Sequence, residues 1–304
     1  MNKWILMISL IIFQACGQAG APNDKKAEAV AEEEAVKSEA SQVEEIPEEV
    51  EAEPEATPSE ANPLLGYYVG TFYGVDIDFD KNPAVSNKIT ISIDSIGQDE
   101  LFGHSVVAGN NRPFSGPISK EGDNIKVEAK EPGDNRYDGV FTFTLSPATN
   151  NVTGTWQANN KKLAVSKREY NLDKRVFSYD PSLALPEDVS WSQLYEKHPK
   201  FEDREESLTE DVLSFNASNE ELKKEDIENM YKGDLEVMRN AIYARHGYSF
   251  KNRKMRFIFD SSVDWYMPVS TDIRDDLTDL ERKNIDLLKR YEEHAGRYYD
   301  VFGR

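Results

Sequence analysis

Between residues 63 and 172 the chain alternates apolar and polar residues in short runs, each closed by a turn sequence. That pattern leaves few folds open. Lys88-Ile89-Thr90-Ile91-Ser92-Ile93-Asp94 is the clearest run, followed by Asn124–Ala129 and Val140–Leu145, with Tyr67–Gly74 opening the series. Period-two alternation gives a strand one apolar and one polar face. Weaker runs lie at 101–108, 113–118, 152–157 and 162–170. Ile96-Gly97-Gln98-Asp99, Glu121-Gly122-Asp123-Asn124, Pro132-Gly133-Asp134-Asn135 and Pro147-Ala148-Thr149-Asn150 supply turn chemistry between them. Eight short strands joined by tight turns imply an antiparallel meander, closed into a barrel or folded as a sandwich.

An eight-stranded barrel is just wide enough to be filled by side chains or to hold one small ligand. Phe72, Phe141, Phe143 and Trp156 suit either case. A filled core is the expectation, and carriage of a small apolar ligand is the alternative. The arrangement is loosely similar to the lipocalin–avidin group. Gly154-Thr155-Trp156 resembles the lipocalin Gly-x-Trp element, which lies on the first strand there and near the last here. His104, beside Phe102, reads as structural or exposed.

The N-terminus has a different character. A basic start, Met1-Asn2-Lys3, precedes an apolar run from Trp4 to Phe13. That run is too short for a spanning helix of about 20 residues and reads as a secretory signal. Gln14-Ala15-Cys16-Gly17 then flanks the chain's single cysteine with small residues. This resembles the lipobox of bacterial lipoproteins, with Phe13 where a leucine is usual. The resemblance implies cleavage before Cys16 and acylation of its thiol and amine; the alternative is an ordinary signal peptide. A lone thiol in an exported chain forms no intramolecular disulfide, so acylation also gives it a purpose. Two or more acyl chains would make the attachment durable.

Residues 18–62 contain no aromatic residue and carry 14 acidic groups against 3 lysines, a net of −11 out of −20 for the whole chain. Such a segment buries too little apolar surface to offset chain ordering, and its like charges extend it. Forty-five residues at about 3.3–3.6 Å each reach roughly 150 Å. The segment reads as a disordered acidic tether. The acidic balance argues against nucleic acid as a partner.

Beyond Tyr170 the signals become helical. Ser190-Trp191-Ser192-Gln193 and Ser218-Asn219-Glu220-Glu221 have capping-box form, with Pro199 limiting the first helix. Asp234 is placed as the N-cap of a helix with Leu235, Met238 and Ile242 on one face. Arg245-His246 closes its last turn, where positive charge meets the negative end of the dipole, and Gly247 suits a left-handed cap. Thr278-Asp279-Leu280-Glu281 caps a final helix whose face holds Leu280, Asn284, Leu287, Leu288, Tyr291 and Ala295. Asn284 in that stripe needs hydrogen-bond partners, for which Arg239 or the backbone near Gly247 is expected.

Residues 238–250 contain Arg239-Asn240 and then Tyr243-Ala244-Arg245-His246-Gly247 intact. Trp265-Tyr266 with Pro268 follows, then Glu281, Asn284 and Ile285. Over roughly 205–295 this resembles the YARHG family, presumed extracellular domains of bacterial surface proteins and lipoproteins. The resemblance brings no established activity. His246 could act as a general base and Arg245 could hold an anion. The motif nevertheless lacks a nucleophile turn, a metal-ligand spacing and a phosphate loop. It reads as architecture, with His246 capping helix carbonyls, Tyr243 packing, and Arg245 paired to Asp260 or Asp264. Arg239, Arg245, Lys251, Arg253, Lys254 and Arg256 form a basic cluster near Trp265 and Tyr266. That cluster either binds an anionic glycan, wall peptide or acidic partner, or pairs with the Asp-rich stretch 272–279.

The expected organisation is multidomain, β then α: a signal peptide (1–15), lipidated Cys16 and tether (16–62), a β domain (63–172), a connecting segment with a short helix (173–204) and a helical YARHG-like domain (205–304). The expected function is a non-catalytic binding or structural module, lipid-anchored at a bacterial outer membrane or cell surface, needing no cofactor or metal. Its partners would be the membrane and a cell-wall glycan or envelope protein. The alternatives are a cell-wall hydrolase or accessory and a small-ligand carrier. Arg239, Asn240, Tyr243, Arg245, His246, Gly247, Trp265 and Tyr266 are the candidate binding or structural residues.

Overall fold

Eight alternating segments pair in chain order: β1 (Gly66–Gly74), β2 (Ser86–Ile96), β3 (Glu100–Val107), β4 (Asn110–Glu121), β5 (Asn124–Lys130), β6 (Gly139–Ser146), β7 (Asn151–Ala158) and β8 (Lys167–Arg175). β1 pairs antiparallel with β2 and also with β8, so the sheet closes into a barrel rather than a sandwich. Tyr68 lies opposite Ile91 on one side and Lys174 on the other. Closure leaves the meander without a free strand edge.

This is a computed structural model; it describes residues 62–75, 77, 86–190, 197–198, 201–205 and 208–300. The signal segment, Cys16 and the acidic tether lie outside the described residues.

The apolar face of each strand points inward. Tyr68, Ile91, Leu101, Phe141, Leu145 and Leu172 are almost fully buried. Phe72 packs against Trp156 and Tyr170, with ring centroids 5.8 Å apart in both pairs. Most of the lumen is therefore filled, as expected. The last strand differs: 162–170 was the expected span, and β8 is Lys167–Arg175. The polar run Asn159-Asn160-Lys161-Lys162 forms a turn, closed by Ala158 N donating to Ser166 O at 2.8 Å.

The C-terminal region holds a 3-10 turn (Glu210–Leu213) and four helices: α1 (Lys224–Ile227), α2 (Lys232–Arg245), α3 (Arg253–Ser262) and α4 (Asp279–Tyr298). Leu235, Met238 and Ile242 are buried as expected, with Phe250, Ile258, Phe259 and Leu288 in the same core. Thr278 and Glu281 form the expected capping box of α4.

Three helix expectations are corrected. Ser218–Glu221 begins no helix; α1 starts at Lys224, where the Asp226 carboxylate accepts from Lys223 N at 2.8 Å. Asp234 is not the N-cap of α2, which starts at Lys232; it turns away to accept from Thr209 N and Oγ1 at 2.9 and 2.8 Å. Asn284 finds neither Arg239 nor the Gly247 backbone. It accepts from Leu222 N and donates to Ala217 O and Glu220 O, pinning the 217–222 loop. The buried face of α4 is rotated accordingly: Glu281, Ile285 and Glu292 are inside, while Leu280, Leu287 and Tyr291 are only half-buried. Of the expected connecting helix, 191–196 lies outside the described residues. Lys197–His198 instead pairs with Phe201–Glu205 as a two-stranded ribbon.

Barrel and helices belong to one compact unit. Lys88 N donates to Asp260 Oδ2 at 3.0 Å, and its Nζ to Val263 O at 2.8 Å. At the β3–β4 turn Gly109 (φ 74°) donates to Ser249 Oγ at 2.9 Å. A Cβ on Gly109 would sit 2.0 Å from Lys251 Cγ, so only glycine permits this approach.

Candidate functional site

The end of α2 carries the Tyr-Ala-Arg-His-Gly sequence, and its parts divide between a structural knot and an open groove. Gly247 adopts φ 71° and terminates the helix, with Gly247 N donating to Ala244 O and Tyr248 N to Tyr243 O. These backbone bonds satisfy the helix end. His246 therefore does not cap carbonyls, as had been expected. It reaches α4, where its Nε2 lies 2.8 Å from Glu281 Oε2, and both side chains are buried. Glu281 also accepts from Thr278 N at 3.0 Å and from Tyr179 OH at 3.0 Å. The Tyr179 ring stacks on His246 with centroids 4.2 Å apart. Burial pushes Glu281 upward, but the bonds from His246 and Thr278 outweigh it and hold the carboxyl below its ordinary value.

Arg245 pairs with neither Asp260 nor Asp264. Its Nε donates to Leu183 O at 2.8 Å and its Nη1 to Ser218 Oγ at 3.2 Å. It also lies 5.9 Å over the Trp265 ring. Trp265 Nε1 in turn donates to Ala184 O at 2.7 Å. Buried Tyr266 donates to Tyr248 O at 2.8 Å. The segment after β8 is thus strapped across the helices by Tyr179, Leu183 and Ala184. Arg245, His246, Gly247, Trp265 and Tyr266 fasten it or shape the turn beneath it. The sequence alone marks that segment as a connector, gives Tyr179 and Leu183 no role, and offers Ser218 only as a helix cap. Backbone carbonyl acceptors leave no mark in a sequence.

Arg239, Asn240 and Tyr243 face elsewhere. They line a groove of about 840 Å³ between α2, α4 and the segments holding Tyr248, Lys251, Asp272 and Arg274. Its charged lining is Arg239, Lys251, Arg274, Arg282 and Lys289 against Asp272 and Asp286, a surplus of cations in a chain of net charge −20. Tyr243 and Tyr248 stand beside them, ring centroids 6.1 Å apart. Arg239 is braced by Glu292, its Nη2 donating to Oε2 at 3.0 Å. Asn240 Nδ2 is committed to Glu236 O at 2.7 Å.

The six-residue basic cluster expected from sequence does not persist. Only Arg239 and Lys251 reach the groove, while Lys254 pairs with Glu236 at 3.3 Å and Arg256 lies at the barrel mouth. The expected pairing with the Asp-rich stretch also changes, because Asp272 is engaged by Arg274 two residues away, which lowers its carboxyl to about 2. Arg274, Arg282 and Lys289 were missed because they come together only when α4 packs beside α2.

Among the described residues no group of His, Cys, Asp and Glu is arranged to hold a metal ion, and no helix is long and apolar enough to cross a membrane. The geometry defines a closed β-barrel joined to a small helical domain built around a helix-terminating Arg-His-Gly. Residues 210–293 match the YARHG domain family, so the chain carries a YARHG domain C-terminal to its barrel. Domains of this family are typically extracellular or periplasmic, in keeping with a place in the cell envelope. No curated protein and no solved structure matches the chain.

Proposed function

We propose that the protein is a lipid-anchored envelope protein of a bacterium and that its YARHG domain holds an anionic envelope component, a cell-wall glycan or acidic envelope protein, without catalysing a reaction. The groove carries this reading. It concentrates arginine and lysine beside two tyrosines on a chain that is otherwise strongly acidic. Cations and aromatic faces together suit anionic, ring-bearing polymers. A non-catalytic role fits the fate of His246, which is buried against Glu281 beneath the Tyr179 ring. A base so enclosed has no room for a substrate proton. The anchor rests on Cys16 and its small neighbours behind a short apolar run.

The full chain should co-sediment with isolated sacculi or with envelope membranes stripped of its own anchor. Lys251→Glu with Lys289→Glu should weaken that association by about tenfold, or ~1.4 kcal/mol. Both side chains are exposed, so unfolding temperature should not move. Release of soluble wall fragments, abolished by His246→Ala, would replace this reading with a hydrolase. Cys16→Ser should shift the protein out of the membrane fraction; an unmodified mature N-terminus at another residue would refute the anchor.

A further inference from the structure

One end of the barrel is not filled. The turns that follow β3, β5 and β7 gather there around a cavity of about 510 Å³. That volume lies within the range of small-molecule sites, about 300–1,000 Å³. Phe72, Phe141 and Trp156 form an apolar wall, extended by Val107 and Leu163.

Glu131, directly after β5, lines the same cavity and is only 8% exposed. Its two oxygens are used unevenly. Oε2 accepts from Gly139 N at 2.7 Å and from Trp156 Nε1 at 3.1 Å. Among the described residues no donor reaches Oε1. Leaving a buried polar atom without a partner is costly, so an oxygen left open beside a cavity favours an incoming polar group.

The surroundings select the kind of group. The neighbouring acid, Asp138, is already engaged by Arg112, whose Nε and Nη2 donate to its two oxygens at 3.0 and 2.7 Å. Burial raises the Glu131 carboxyl to about 7; the charge of Asp138 pushes the same way, while the bonds from Trp156 and Gly139 and the charge of Arg112 oppose it. Near neutrality the group is therefore present both as carboxylate and as acid. A hydroxyl suits both forms, donating to the first and accepting from the second. A carboxylate head would repel the ionised form, and an ammonium would give up its water for a carboxyl that is charged only part of the time.

We propose that the barrel mouth is a binding site for a small uncharged amphiphile, an alcohol whose hydroxyl pairs with Glu131 Oε1 and whose apolar body lies against Phe72, Phe141 and Trp156. This extends the ligand expected from sequence, where a small apolar molecule was considered and no polar contact was assigned. The site is separate from the groove between α2 and α4 and does not depend on it.

Calorimetric titration of the full chain tests this, with Cys16→Ser introduced so that no anchor acyl chain competes. 1-Decanol should bind one to one and at least tenfold more tightly than decanoate or decylammonium. The ratio of its affinity to that of 1-chlorodecane, which has the same body and no hydroxyl, should fall at least tenfold in Glu131→Leu. Glu131→Leu also takes the acceptor from Trp156 Nε1 and can fail to fold, so a second variant is needed. Ala164→Trp, at an exposed loop position on the rim, should abolish uptake at unchanged unfolding temperature. The proposal is overturned by absence of decanol binding, by a charged analogue that binds as tightly, by an affinity ratio that folded Glu131→Leu leaves unchanged, or by uptake that survives Ala164→Trp.

Discussion

His246 Nε2 and Glu281 Oε2 meet at 2.8 Å, joining the last turn of α2 to the first turn of α4. The carboxylate occupies the positive end of the α4 dipole, which favours its charge, and the imidazole closes the last turn of α2. Tyr179 closes the pair from the strap. One interaction therefore ties three separate stretches of chain.

Removing the carboxylate should be costly. Glu281→Ala leaves His246, Thr278 and Tyr179 without their acceptor in a buried site, which costs about 3–5 kcal/mol. Glu281→Gln should cost less. Because the folded-state carboxyl is held below its ordinary value, its contribution is present above the unfolded carboxyl range and is lost as pH falls through the folded value. Denaturant midpoints measured between pH 3 and 6 should rise less steeply with pH in Glu281→Gln than in the native chain. An unchanged slope would remove Glu281 as the acid-sensitive group.

Asp260 predicts the opposite sign. Burial raises it from 3.8 to about 7, against the pull of Lys88 N and the charges of Arg256 and Lys88. The folded state then binds a proton that the unfolded state has released, so stability falls as pH rises from about 4 to about 7. Asp260→Asn keeps an oxygen for Lys88 N and carries no charge. Relative to this variant, the native chain should lose roughly 2–3 kcal/mol between pH 5 and 7.5. Parallel stability curves for the two proteins would contradict the burial argument.

Particular residues show what the sequence made legible. Ile89, Ile91 and Ile93 alternate because one sheet face is buried, and the whole meander follows from that rule. Whether it closed was not visible, since closure depends on β1 pairing with the distant β8, 106 positions on in the case of Tyr68 with Lys174. The Thr278–Glu281 box and the Gly247 cap are local chemistry and were read directly. Asp234 misled because a cap and a tertiary acceptor call for the same residue type; only the position of Thr209 decides. The groove was half legible. Arg239, Asn240 and Tyr243 belong to the motif, whereas Arg282 and Lys289 join them through helix packing that no local pattern encodes.

Gly247 should tolerate no side chain. Its φ of 71° is strained for any residue with a Cβ, and a Cβ there would lie 2.4 Å from Val269 Cγ2 and 2.9 Å from Phe177 Cε2. The backbone cost of about 1–2 kcal/mol adds to overpacking of about 1–3 kcal/mol. Gly247→Ala should therefore lower stability by about 2–5 kcal/mol in chemical denaturation. A loss under 1 kcal/mol would mean that the Gly247–Val269 turn relaxes freely.

The strap gives the last prediction. Arg245 holds it through Leu183 O and steadies Ser218, and burial lowers the guanidinium to about 10 without neutralising it near pH 7. Truncation to Arg245→Ala removes the donor to the part-buried Leu183 carbonyl, at about 1–3 kcal/mol, and one of the contacts of Ser218. The barrel does not depend on these bonds, since its strands pair among themselves. Hydrogen exchange should then rise across 177–185 and around Ser218 while protection in β1–β8 stays as it was. Arg245→Lys should restore little, because a single ammonium does not reproduce the geometry of two donors set in one plane. If exchange rises uniformly through barrel and helices, the motif is part of a single cooperative core, and its role as a fastener of one segment fails.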